Sequence, residues 1–359
     1  MDTPLLELRG LDKRFGATHA LKRVDLAFAP GEIHAVVGEN GAGKSTLIKL
    51  LTGVHERSGG EILWQGSPVA LATPHEAIAL GINAVHQEVI LCRHLTVAAN
   101  LFLGEERSRL GLLRTRDMER EAQSILDGIG FRLPAAAVLG ELTIGQQQLV
   151  ATARAAMRGT KFLIFDEPTA YLTRQETDQL FALIRRLHGQ GVTIIYISHR
   201  LEEVFELSDR VSVLRDGSLV ATLRTEATNE GEIIRHMVNR SIEDVYHKDE
   251  IGFGSPVLEV RNLSGRGFSD VSLEIRAGEI VGLYGLIGAG RSEFASAVFG
   301  RHPATGGSIR LEGQEVAIRH ESDAIGHGIA LVPESRRDQG LCLNLGVGFN
   351  LNLPVFGRI

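Results

Sequence analysis

The chain has 359 residues, more than one hydrophobic core usually supports, so its length predicts two domains. Hydrophobic residues make up 43% and charged residues 23%, and no apolar run approaches the roughly eighteen residues of a membrane span, which predicts a cytoplasmic protein without membrane insertion. The formal net charge of −6 argues against a general nucleic-acid binder, and Cys92 and Cys342 form neither a metal-ligand pair nor a disulfide framework.

The first motif in chain order is a glycine-rich loop between an apolar strand and an amphipathic helix. HAVVG, at His34 to Gly38, predicts the strand, LIKLLTG predicts the helix, and the residues between them fit the phosphate-loop pattern G-x-x-x-x-G-K-[ST]. In such a loop backbone N–H groups converge on phosphate oxygens, Lys44 bridges the β and γ phosphates, and the Ser45 hydroxyl ligates Mg²⁺. The predicted ATP site comprises Gly38, Glu39, Asn40, Gly41, Ala42, Gly43, Lys44, Ser45 and Thr46.

Two further apolar strands end in polar residues that suit the same chemistry. KFLIFDEP ends in Asp166, suited to the outer coordination of Mg²⁺, and in Glu167, suited to polarising the attacking water. GVTIIYISHR ends near His199, whose imidazole can sense the γ phosphate or hold the water. Either strand end is common by itself, so the functional interpretation depends on the phosphate loop.

An internal repeat relates the two ends of the chain. Gly31-Glu32-Ile33 recurs as Gly278-Glu279-Ile280, an offset of 247 that holds without a gap to Gly328. The repeat predicts a first domain at 5–242 with a helical subdomain at about 88–155, a linker at 243–256 and a second domain at 257–359. The second copy ends before the first copy's carboxylates and histidine have counterparts, so the chain is expected to be a fragment or a truncated product.

The second phosphate loop departs from the first. Its Arg291 replaces the lysine, and the planar, bulkier guanidinium makes this substitution non-conservative, which predicts a degenerate site. The degenerate loop consists of Gly285, Gly288, Gly290, Arg291 and Ser292.

These motifs, in this order, resemble the ATP-binding cassette (ABC) domain over the whole first copy. The resemblance implies an α/β fold of two tandem P-loop NTPase domains, each a mixed sheet core with a helical subdomain, the second incomplete. It also implies that Phe15 stacks on adenine and that Gln87 reaches Mg²⁺. The signature motif, which in this family binds the γ phosphate of ATP held by the opposing domain, would be Leu142, Thr143, Ile144, Gly145 and Gln146.

Departures from the usual signature identify a subgroup. Ile144 stands where the family usually has glycine, and a β-branched residue there should weaken this half-site. The Ile-Gly-Gln-Gln-Gln signature, YISHRLEEV and the GAGR loop are similar to the tandem ATPase subunits of bacterial monosaccharide importers. That resemblance implies a peripheral protein on the cytoplasmic face of the inner membrane, bound to two permease subunits and fed by a periplasmic sugar-binding protein. It further suggests that Leu91 to Leu103 faces the permease.

In cassette dimers each ATP lies between one domain's phosphate loop and the other's signature. The signature that would close ATP on Lys44 falls beyond Ile359, so the chain alone is expected to bind MgATP but to hydrolyse it poorly. Two alternatives remain open, a nucleoside or signal-molecule importer of the same subgroup and a soluble tandem cassette acting on ribosomes. Ile144, Arg291, the short linker and the −6 charge argue against the ribosomal alternative. A DNA-repair ATPase would need a coiled coil or zinc insertion, and the sequence has neither.

Overall fold

The computed structural model describes residues 3–86, 91–109, 111–157, 159–238, 252–285, 288–333 and 339–353. The chain forms two compact units, Met1–His247 and Lys248–Ile359. Most of the predicted linker at 243–256 lies outside the described residues, and its last residue, Pro256, already begins a strand.

In chain order the first unit contains β1 (Leu6–Phe15), β2 (Thr18–Phe28), β3 (Ile33–Val37), α1 (Lys44–Leu51), β4 (Gly59–Trp64), β5 (Ser67–Val69), α2 (Pro74–Leu80), β6 (Ile82–Val85), α3 (Val97–Leu101), β7 (Ser108–Arg109), β8 (Leu112–Leu113), α4 (Thr115–Ile129), α5 (Ile144–Ala156), β9 (Phe162–Asp166), α6 (Arg174–Gly189), β10 (Thr193–Ile197), α7 (Leu201–Leu207), β11 (Arg210–Arg215), β12 (Ser218–Arg224) and α8 (Glu230–Val238). Strands β1, β2, β4 and β5 form an antiparallel sheet in the order β2-β1-β4-β5. The remaining long strands form a mixed sheet in the order β12-β11-β3-β10-β9-β6, in which all except β12 are parallel.

The parallel strands are mostly apolar because both faces of the mixed sheet are covered. Phe162 and Ile164 pack in a core shared with the antiparallel sheet and α1, whereas Leu163 and Phe165 pack in a core shared with α4, α5 and α6. Pairing of Ile197 with both Val36 and Asp166 brings the carboxyl ends of β3, β9 and β10 to one edge. The loops that follow these three strands therefore meet at that edge.

The opposite end of β3 is held by a buried charged network. Arg210 donates hydrogen bonds of 2.9 and 2.8 Å to the two carboxylate oxygens of Glu32 and one of 2.7 Å to the Ala27 carbonyl. The His34 ring, fully buried, lies 3.1 Å from Glu32 Oε1 and 2.8 Å from Ser212 Oγ. Burial by itself would raise the pKa of Glu32, but the hydrogen bonds from His34 and Arg210 lower it to about 2. The network joins the start of β3 to β11.

The region predicted as the helical subdomain, about 88–155, contains α3, α4, α5 and the short β7–β8 hairpin. Four of the five residues of α3 are buried. In the predicted permease-facing segment the exposed side chains are therefore concentrated before that helix, at Arg93, His94 and Leu95.

In chain order the second unit contains β13 (Pro256–Gly265), β14 (Phe268–Arg276), α9 (Arg291–Val298), β15 (Gly306–Leu311), β16 (Gln314–Val316), α10 (Glu321–Gly326) and α11 (Val347–Asn352). Its antiparallel sheet has the order β14-β13-β15-β16, which matches the first unit's β2-β1-β4-β5.

The likeness between the two units continues past the sheet. Asn100 exchanges hydrogen bonds of 2.8 and 3.0 Å with the Cys92 backbone, and Asn350 does the same, at the same distances, with Cys342. These pairs are 250 residues apart, so three residues are inserted after Gly328, where the sequence offset is still 247.

The second unit differs from the expectation of a mixed sheet core. Residues 280–284, which the offset equates with β3, form no strand within 252–285, and the Ile280 and Tyr284 side chains are 97% and 99% exposed, against 2% for Ile33. In the first unit β3 is paired on both sides, by β10 and β11, and the described part of the second unit has no strand beside 280–284. Strand pairing is non-local, so an apolar segment without neighbours does not become a strand.

Candidate functional site

The first glycine-rich loop leaves β3 at Gly38 and enters α1 after Gly43, which caps the helix in a left-handed conformation, φ 106°. The Lys44 side chain folds back over the loop and donates to the carbonyls of Gly38, at 2.6 Å, and Glu39, at 3.0 Å. Burial lowers the pKa of Lys44, and the negative charges of Glu167, Asp166 and Glu39 oppose that effect. The Ser45 side chain is exposed at the start of α1, beside a helix N-terminus that favours anions.

Two carboxylates and a histidine occupy the same sheet edge. Asp166 ends β9, and its pKa is raised to about 6 by burial first and then by the charge of Glu167, against the opposing charges of Lys44 and Lys49. Glu167 has φ 48°, an uncommon conformation for a residue other than glycine, and its N–H donates to Ile197 O at 2.9 Å. His199 Nδ1 lies 3.4 Å from Glu167 Oε2. The fold thus brings a cation, two carboxylates and an imidazole together from three separate strand ends.

The raised pKa of Asp166 predicts a pH dependence of stability in the absence of nucleotide and divalent cations. Between pH 3.8 and about 6 the folded state holds a proton on Asp166 that the unfolded state has released, so the contribution of Asp166 to stability falls as pH rises through this window and is constant above it. The Asp166→Asn variant lacks this loss, and its stability relative to wild type should rise by roughly 3 kcal/mol across the window. Urea unfolding in EDTA at pH 4 to 8 measures the difference, and a constant difference would contradict the prediction.

The predicted signature residues begin α5. The Thr143 hydroxyl caps the helix by accepting from the Gln146 N–H, and the Thr143 N–H donates in return to Gln146 Oε1, which completes a capping box. Ile144 is the first helical residue, and its side chain is 53% exposed. Gly145 is buried, and a Cβ there would lie 2.7 Å from Glu176 Oε2. Since α5 packs on β6, α3, α4 and α6, the signature belongs to the helical region and is separate from the cluster around Lys44.

The remaining predicted residues are found in different surroundings. Phe15 ends β1 with its ring exposed, with Lys13 Nζ 4.7 Å from the ring centroid and His55 edge-on at 5.1 Å. Gln87 lies outside the described residues. Its neighbour His86 accepts a 3.3 Å hydrogen bond from Gln148 of α5, which joins the helical region to the end of β6.

The second glycine-rich loop resembles the first in its backbone and differs in its basic residue. Gly290 caps α9 with φ 86°, as Gly43 caps α1. Arg291 is exposed, whereas Lys44 is buried over its loop. Residues 286–287 lie outside the described part of the chain.

Sequence reasoning missed Glu203, a buried carboxylate on α7 that contacts the segments after β9 and β10. The one available signal is a glutamate four residues after His199 at the start of an amphipathic helix, and that pattern is too common to single it out.

The fold and the site define a P-loop ATPase built as a cassette. The family model described as "ABC transporter" matches residues 21–170 and 268–342. The chain belongs to this family, and it is an ATP-binding protein of the ABC ATPase class.

Comparison with individual proteins gives closer relatives. The chain is 47% identical over 358 residues to the ribose import ATP-binding protein RbsA 2 of Escherichia coli O157:H7, covering 99% of this chain and 71% of that protein. It is 45% identical over 353 residues to the ribose import ATP-binding protein RbsA of Geobacillus kaustophilus, covering 98% and 72%. Among solved structures, a nucleotide-free ATP-binding cassette from an ABC transporter aligns with a TM-score of 0.58 at 26% identity, over 68% of this chain and all of that one.

None of the helices within the described ranges combines the length and the apolar character that crossing a bilayer requires.

Proposed function

We propose that this chain binds MgATP on its first phosphate loop and hydrolyses it to power the import of a monosaccharide. The observation that carries the ATP site is the Lys44 ammonium, held over its loop at the sheet edge where Asp166 and Glu167 also act on it. The proposal that the cargo is a monosaccharide is supported by relatives whose names say ribose import, at 45 to 47% identity over nearly the whole chain.

Each predicted residue has a proposed role. Lys44 neutralises phosphate charge, Glu167 polarises the attacking water, and His199 holds that water or senses the γ phosphate. Phe15 stacks on adenine and Gln87 reaches the metal. The signature residues Leu142, Thr143, Ile144, Gly145 and Gln146 act on ATP held by an opposing domain.

The Ser45 hydroxyl and the Asp166 carboxylate fit Mg²⁺, because this ion usually takes one or two protein carboxylates together with substrate phosphates. In the described residues no group of three or more His, Cys, Asp and Glu side chains could bind a metal ion by itself, so the nucleotide phosphates would complete the site. When bound, Mg²⁺ would neutralise part of the phosphate charge.

We also propose that the second unit is a partial second cassette with a degenerate phosphate loop. Support comes from the shared strand order and from the equivalent Asn100 and Asn350 turns. Under this proposal the first cassette is 5–242, its helical subdomain about 88–155, the linker 243–256 and the second cassette 257–359.

The proposed partners are two membrane-spanning permease subunits and, indirectly, a periplasmic sugar-binding protein, which would place the chain at the cytoplasmic face of the inner membrane. Arg93, His94 and Leu95 are the exposed residues that we propose to face a permease. Leu91, in the same segment, lines a groove of about 200 Å³ together with residues of α2, β6 and α5.

The Lys44→Met variant tests the ATP site. Removing the ammonium should weaken ATP binding by about 10-fold to 100-fold, because a hydrogen bond to a charged group contributes roughly 1.5–3 kcal/mol. Equilibrium titration with a fluorescent ATP analogue measures the change. In the bacterium that encodes the chain, the same variant should abolish uptake of labelled ribose.

Lys161→Met is the matched control, because Lys161 is exposed and precedes β9 at the end remote from Asp166. It should leave both ATP binding and uptake unchanged. Equal affinity in the two variants would contradict the proposed phosphate site, whereas normal ribose uptake with weakened ATP binding would contradict the cargo alone.

A further inference from the structure

Glu203 is a buried carboxylate whose acceptor positions are filled from several directions. It lies on α7 and is 5% exposed. Oε1 accepts from Thr169 Oγ1 at 2.8 Å and lies 3.0 Å from Arg200 Nη1. Oε2 accepts from Tyr196 Oη and Ser198 Oγ, both at 2.8 Å. A buried carboxylate is costly unless it is paired and hydrogen-bonded, and these four groups offset that cost.

The donors come from the two segments that carry the proposed catalytic groups. Thr169 lies two residues after Glu167, and Ser198 immediately precedes His199. The Ser198 hydroxyl also accepts a 3.0 Å hydrogen bond from the Arg200 backbone N–H, which fixes the turn around His199. Glu203 therefore joins one segment to the other within a few residues of the 3.4 Å contact between Glu167 and His199.

The hydrogen bond from the Tyr196 phenol also restrains the Glu203 carboxylate. Tyr196 is fully buried in β10, and burial first, then the charge of Glu203, raises its pKa, so it keeps its proton and donates to Glu203. Thr169 and Ser198 are also buried, so water does not compete strongly for these bonds.

We propose that Glu203 is a positioning residue of the ATPase site, which holds the segment carrying Glu167 and the segment carrying His199 at a fixed separation. The inference rests on the proposed roles of those two residues. Glu203 does not touch the nucleotide loop in this arrangement, so it acts on the rate of hydrolysis and not on ATP affinity.

Glu203→Gln tests the inference in the full chain, under single-turnover conditions with protein in excess over ATP so that slow rates are measurable. The amide replaces one acceptor oxygen with a donor that faces donors, which misplaces the two segments. The maximal rate should fall by about 10-fold to 100-fold, because small misplacements of catalytic groups slow a reaction by such factors. ATP affinity should stay unchanged. Glu202→Gln is the matched control, because Glu202 is its exposed neighbour on α7, and it should leave the rate unchanged.

A double-mutant cycle separates positioning from general stability. In a His199→Ala background, Glu203→Gln should slow hydrolysis little further, because both changes disrupt the same pair of groups. Effects that multiply would overturn the inference. Tyr196→Phe, which removes one donor and preserves volume, should also slow hydrolysis, and it decides the question if Glu203→Gln fails to fold by circular dichroism.

The outcomes for the inference and for the proposed function differ. A slow Glu167→Gln variant with a wild-type rate in Glu203→Gln overturns the inference alone. Wild-type rates in both variants overturn the proposed role of Glu167 as well.

Discussion

The Glu167→Gln variant is expected to bind ATP at least as tightly as the wild-type chain and to hydrolyse it about 100-fold to 10,000-fold more slowly. Glutamine preserves the size and planarity of the side chain but removes the charge that would polarise water. The fold should tolerate the change, since the Glu167 backbone is held by its N–H bond to Ile197 O, which the variant retains.

The separation of binding from hydrolysis follows from the electrostatics of the site. Glu167 acts on the Lys44 ammonium and raises the pKa of the Asp166 carboxyl beside it. Its negative charge also repels phosphates. Without that charge, Lys44 is available to ATP and binding does not weaken. The affinity and the single-turnover rate should therefore move independently, which loss of folded protein would not produce.

Glu226→Gln is the control for this variant, because Glu226 is an exposed carboxylate whose nearest partner is Arg224 on the surface. It should match the wild-type chain in both measurements. An unchanged hydrolysis rate in Glu167→Gln would show that another group activates the water, and weakened ATP binding would show that Glu167 supports the loop itself.

Gly43→Ala is expected to lower the free energy of unfolding by about 2–5 kcal/mol and to abolish ATP binding. Gly43 has φ 106°, where a side chain is strained by roughly 1–2 kcal/mol. A Cβ would also lie 2.7 Å from Leu21 Cδ2 and 2.9 Å from Ala20 O. Leu21 is fully buried and Ala20 contributes backbone, so neither can yield cheaply, and overpacking of this kind costs about 1–3 kcal/mol more.

Gly41→Ala separates the clash from the backbone strain. Gly41 lies in the same loop at φ 86°, and nothing lies within 4 Å of the Cβ it would gain. The Gly41→Ala variant should therefore lose only the part of the stability that backbone strain costs, and its loop should still bind ATP weakly. Urea unfolding and ATP titration compare the two variants, and equal losses would argue against the packing explanation.

The sequence alone was sufficient for the local parts of the site. The strand, glycine-rich loop and helix around Lys44 are encoded within about twenty consecutive residues, and the apolar runs before Asp166 and His199 have the length and composition of buried strands. The recurrence of glycines at one spacing also predicts that the second unit repeats the first. The antiparallel sheet of the second unit has the strand order of the first unit's, and the repeat itself stays a prediction.

The tertiary structure decided what depends on contacts between distant residues. Strand register brings the ends of β3, β9 and β10 to one edge, and no local pattern specifies that register. The same dependence on distant partners explains why residues 280–284 form no strand. They have the composition of a strand, but no strand lies beside them in the described second unit. That dependence also explains Glu203, whose importance appears only when Thr169, Tyr196 and Ser198 converge on one buried carboxylate.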